Sequence, residues 1–164
     1  MPTSPTTNLP TTESRAPAFA EAAPTRAAPV QCGAEALRLL FLALSHPLEA
    51  ETVAFVLDRQ GHGGVVTVVS GTTDPDSVLA VTECLARAAA GLPQTAALVL
   101  ATVRPHGCVL PGDIDRWLDA SGIAQDLGVQ LVEWYIISSS GVQCPRDLLG
   151  EPERWALVSG KTGS

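Results

Sequence analysis

The chain predicts an α/β (α+β) fold: a single three-layer domain with one mixed sheet flanked by helices. Stretches with helical apolar spacing alternate with short β-branched runs in the order α-β-β-α-β-α-β. One run, "TAALVLATV" (95–103), is apolar without alternation, the pattern of a central strand covered on both faces. The apolar fraction is 46% over 164 residues, enough for one core, and no run approaches the roughly 18 apolar residues of a membrane span.

Residues 1–30 are rich in Pro, Thr and Ala and lack any apolar period, so they predict a disordered tail that cannot offset its ordering entropy. The domain is expected over 31–158, with a flexible C-terminus over 159–164. "AEALRLLFLALS" has helical composition and is bounded by His46 and Pro47. "ETVAFVLD" (Glu51–Asp58) and "VVTVVS" are β-rich runs joined by the glycine turn "RQGHGG", which predicts a hairpin with His62 in its turn. A helix follows, with Val78, Val81, Leu85 and Ala88 inward and a stop at Gly91. Beyond the central strand, "GDIDRWLDASGIAQDLG" predicts a helix with Ile114, Trp117, Leu118, Ala124 and Leu127 on its inner side. "VQLVEWYIIS" (Val129–Ser138) is the next strand, and "GVQCP" a short edge strand stopped by Pro145. The remaining residues are expected to pack Trp155 on the body and then fray.

The net charge is −7, with one Lys (Lys161) and no basic cluster, so nucleic acid is a poor partner. The N-terminus lacks a charged segment followed by an apolar block, which argues against a secretory signal and leaves the cytoplasm as the expected compartment. Cys32, Cys84, Cys108 and Cys144 are far apart, a spacing that suggests free and mostly buried thiols.

The chemistry concentrates in "LVLATVRPHGCVLPGDIDRW" (Leu98–Trp117), where an apolar strand runs into a loop holding Arg104, His106, Cys108 and Asp113. This stretch and its surroundings resemble the RadC-like branch of the JAB/MPN metalloprotease superfamily. In that family an apolar strand ends in a His-x-His-Pro-Ser-Gly loop, and a metal-binding Asp opens the next helix. Pro105 and Gly107 match the loop, and Asp113 falls where the Asp belongs. Thr102 and Arg104 stand where the two zinc-binding histidines would be. "LGVQLVEWYII" resembles the family's helix-to-strand step, without a gap after Asp113, and "VLDRQGHGGVVTVVSGT" resembles its hairpin. The family's hairpin carries a catalytic Glu on its second strand, whereas this chain has no carboxylate between Asp58 and Asp74.

The resemblance spans about residues 45–145 and implies a JAB/MPN (cytidine deaminase-like) architecture and a bacterial source. It also implies that zinc hydrolysis is lost. That chemistry needs two imidazoles and a carboxylate on the metal and a Glu to take the water's proton. Thr is a weak neutral ligand and Arg a permanent cation. Thr102, Arg104 and Asp113 are therefore vacated metal-site positions, with a salt bridge between Arg104 and Asp113 expected to fill the space. The function expected is that of a catalytically inactive, metal-free module for protein binding or assembly, without cofactor, pairing as a homo- or heterodimer.

Two other readings stay open. His106, Cys108 and Asp113 are competent ligands or thiol-chemistry groups for a rearranged hydrolytic centre; the simpler reading makes them a solvated loop residue, a buried filler and a helix N-terminal charge. Alternatively, the vacated pocket and Arg104 serve a small-molecule sensor that binds a carboxylate or phosphate.

Overall fold

The computed structural model describes residues 28–158, so the expected tail up to residue 27 and the segment 159–164 lie outside the described residues. The elements are α1 (Gly33–Ala43), β1 (Glu51–Asp58), β2 (Gly63–Ser70), α2 (Ser77–Ala90), β3 (Thr95–Val103), α3 (Asp113–Asp126), β4 (Gln130–Ser138), β5 (Gly141–Gln143), α4 (Pro145–Leu148) and α5 (Trp155–Val158). They build one five-stranded mixed sheet of order β2-β1-β3-β4-β5. β1 pairs antiparallel with β2 and β3, and β4 antiparallel with β5. β3 and β4 run parallel, which requires a crossover, and α3 supplies it.

Helices cover both faces. On one, Leu40 of α1 packs with Phe55, Val99 and Val132, and Trp155 closes the layer. On the other, Val78 of α2 and Trp117 of α3 pack on Leu98, Leu100 and Trp134. The strand β3 is buried from Ala97 to Val103, as its unbroken apolar run predicts for a strand with neighbours and helices on every side.

Several expectations are corrected in detail. The tail was expected to reach residue 30, yet Val30 is buried in the α1-side core and its N–H donates to the Gly61 carbonyl at 2.7 Å. One β-branched residue is too short a signal to show as a period. Leu118 is exposed at 46%, because Trp117, Ala120 and Ala124 occupy the inner stripe at helical spacing and turn position 118 outward. Ala88 is likewise exposed, while Ala86 and Ala89 face the core. Alanines carry too little apolar contrast to phase a helix. The thiols are free but not mostly buried: Cys32, Cys84 and Cys108 are exposed, and only Cys144 is half-buried.

Candidate functional site

The site is built where β3 ends. The Arg104 N–H donates to the Ile137 carbonyl at 2.8 Å, so the first loop residue still hangs on the parallel neighbour β4. The Gly107 N–H returns to the Arg104 carbonyl at 3.0 Å and closes a turn. A side chain at 107 would place its Cβ 2.9 Å from the Arg104 Cβ, so the turn has room only for glycine. Two outside bonds pin the loop: Ser139 N–H to the Pro105 carbonyl at 3.2 Å, and Val109 N–H to Gln143 Oε1 at 3.1 Å. Gly112 then takes φ +88°, a left-handed conformation that admits glycine readily, and turns the chain into α3 with Asp113 as its first residue.

Asp113 is fully buried and its carboxylate accepts four hydrogen bonds from three groups. Arg104 forks onto it, Nη1 to Oδ2 at 2.6 Å and Nη2 to Oδ1 at 3.1 Å. The Leu110 N–H donates to Oδ2 at 2.6 Å, and Arg116 Nη1 to Oδ1 at 3.2 Å. Burial by itself would raise this carboxyl's pKa. The Arg104 hydrogen bonds, the Leu110 amide, the Arg104 charge and Arg116 outweigh it and hold the group below its ordinary 3.8. Arg104 also donates to the Cys108 carbonyl at 3.0 Å, so its guanidinium ties strand end, loop and helix start together. The expected Arg104–Asp113 salt bridge is thus present, with a second cation beside it.

Arg116 and its outer partner Asp76, at 2.7 Å from Arg116 Nε, went unnoticed in the sequence. The three-residue spacing of Asp113 and Arg116 on a helix was the available signal. Thr102, pointing to the same side of β3, is also engaged: its hydroxyl accepts from the Trp134 indole N–H at 2.9 Å. Glu51, at the start of β1, lies across from Val103 in the sheet register. Its side chain points to the α1 side and caps Ser45, accepting from the N–H at 2.7 Å and the hydroxyl at 2.9 Å.

This donor set does not fit a divalent cation. Thr102 offers a hydroxyl already used by an indole, Arg104 a permanent cation, and Asp113 a carboxylate neutralised by two guanidiniums. His106 and Cys108 are exposed on the loop, while Asp113 is enclosed beneath Arg104, so the three are not brought together. Among the described residues no group of three His, Cys, Asp or Glu side chains is placed to hold a metal ion. Of the thiols, Cys144 is pushed up to about 12, first by burial and then by the charges of Glu133 and Asp147, which makes it a poor nucleophile.

A cleft of about 560 Å³ lies at the other end of α3 and β4, lined by Ser121, Gln125, Gln130 and Arg154. Its arginine is also committed, to Ser121 Oγ at 3.2 Å and the Leu131 carbonyl at 3.1 Å, and it stacks 4.5 Å above the Trp117 ring. No helix among the described residues is long and apolar enough to cross a membrane. No family model, curated protein or solved structure matches the chain.

Proposed function

We propose that the chain is a catalytically inactive, metal-free relative of the RadC-like JAB/MPN domains that serves as a protein-binding or assembly module. The observation that carries this reading is the Arg104–Asp113 ion pair. At the position where the resemblance puts a histidine and an aspartate on zinc, a guanidinium holds the carboxylate through two hydrogen bonds. A cation in the ligand set opposes a metal and replaces it as the partner of the acid. The single mixed sheet with helices on both faces agrees with the architecture that the resemblance implies.

Elemental analysis tests it. The purified protein is expected to carry far less than one equivalent of zinc and to leave peptide and isopeptide bonds uncut. One equivalent of zinc, removed by chelation together with an activity, would sink the reading. Thr102→His combined with Arg104→His, and with Arg116→Gln to take the second guanidinium off Asp113, is expected to create zinc binding with Asp113, since residue 104 continues the extended course of β3 along β4 and so shares one side with residue 102. A folded triple variant that binds no more zinc than the parent removes the register on which the resemblance rests.

A further inference from the structure

We infer that β2 is a self-pairing edge, through which two copies of the chain join their sheets antiparallel about a two-fold axis at Thr67. This inference deepens the assembly reading by naming the surface and the partner, and it rests on that reading for its purpose.

The sheet has two edges and they are built differently. β5 is three residues long, and shortness is one of the ways proteins blunt an edge. β2 is eight residues long and carries neither a charged residue nor a proline along Gly63–Ser70, so three common devices against edge pairing (shortness, charge and proline) are missing. Its side chains are exposed although they are apolar: Val65 at 73%, Val66 at 43% and Val68 at 43%. Its ladder with β1 is regular from Val66 to Ser70, and the irregularity of this pair falls nearer the Gly63 end.

The identity of the occupant follows from symmetry. "VVTVV" (65–69) reads the same in both directions about Thr67. An antiparallel strand paired with its own copy at that centre sets Val66 against Val68 of the second copy, Val65 against Val69, and Thr67 against itself. β-branched side chains then face one another at every position, the favourable cross-strand pairs of antiparallel sheets, and a two-fold contact is self-complementary by construction. The net charge of −7 on each copy opposes association in general, but β2 carries no charge, so the contact itself sets no like charges together. A stable pair usually buries about 800 Å² per partner, more than two strand edges provide. An apolar groove of about 440 Å³ beside β2, lined by Val30, Leu39, Phe55 and Val66, adds surface at the same junction.

Sedimentation or light scattering of the full chain over a wide concentration range, with two charge variants, tests this. The wild type is expected to reach twice the 17.0 kDa of one chain. Thr67→Lys and Thr67→Glu each set like charges on the axis and are expected to be monomeric alone, while their equimolar mixture recovers the dimer mass. Should either variant lose its circular dichroism, Val65→Lys, at a position 73% exposed, is expected to give a folded monomer instead. A wild type that stays monomeric overturns the inference and leaves the edge to a strand from a different protein or from the chain's own residues 1–27. A dimer indifferent to these substitutions, or folded monomeric variants that do not recover on mixing, overturns it too. Zinc content is unaffected by all of these results, so failure of the edge and failure of the metal-free reading are told apart.

Discussion

Two buried carboxylates, Asp113 at the start of α3 and Glu133 in β4, are each paired with arginine, yet their acidities move in opposite directions. Asp113 accepts from two guanidiniums and a backbone amide, and its pKa lies below 3.8. Glu133 accepts from Arg146 Nε at 2.8 Å and from the N–H of Trp134 at 3.2 Å. Its pKa is raised above 4.5, first by burial, which the hydrogen bond and charge of Arg146 do not fully offset. Arg146 is shared, since it also bonds Asp147 and the Glu151 carbonyl, and the charge of Asp147 adds to the rise at Glu133. Burial pushes both acids the same way, and the number of donors each holds decides which effect wins. Asp113 is locked as an anion at the loop, whereas Glu133 is an anion held under strain beneath the C-terminal segment.

The largest effect expected is from Arg146→Leu, which leaves the Glu133 charge buried with only a backbone donor. It should cost about 3–5 kcal/mol at neutral pH, read by urea unfolding. The loss should shrink as the pH falls toward the carboxylate range, because an already raised carboxyl escapes by taking a proton. A pH-independent loss would show that Glu133 is not the group under strain.

Arg104→Leu should cost less, about 2 kcal/mol, because Arg116 and the Leu110 amide remain on Asp113. Equal losses for the two arginines would mean that the additional donors contribute nothing, and the contrast would fail.

The smallest effect is in the pH dependence of the wild type. Asp113 has a folded pKa below its unfolded one, so its stabilisation is present above about 3.8 and is lost as the pH falls through the lowered value. Glu133 has the reverse sign: its contribution is present below 4.5 and is lost as the pH rises through the raised value. Unfolding free energies measured across this range should show a shallower acid limb in Asp113→Asn, the remainder belonging to Asp58, whose carboxyl is also held below its ordinary value, and should lose their decline above 4.5 in Glu133→Gln. A decline that persists in Glu133→Gln would assign it to another group.

Much of the candidate site was legible because it is local. Arg104, Gly107 and Asp113 lie within ten residues, and an extended strand end followed by a helix start brings an arginine and an acid together with little choice of geometry. Arg116 stands one helical turn beyond Asp113 and was legible in principle. Asp76 was not, since it lies 40 residues upstream and reaches Arg116 only because α2 and α3 pack side by side on one face. Nothing in "VQLVEWYIIS" sets Glu133 apart as a buried charge. That it is 2% exposed depends on Arg146 and α4 folding back over β4.

The order of helices and strands from α1 to β5, the burial of β3 on both faces and the hairpin were determined by the sequence alone, because periodicity and turn residues act over a few neighbours. Which strand became the exposed edge was not. "VVTVVS" has the same β-branched composition as a buried strand, and its valines are exposed because β2 is the last strand of the sheet and the packed cores on the two faces lie over β1, β3 and β4. The same holds for which arginine neutralises which buried acid. Strand order and ion pairing join residues far apart in the chain, and their free energy depends on burial that exists only once the layers have packed.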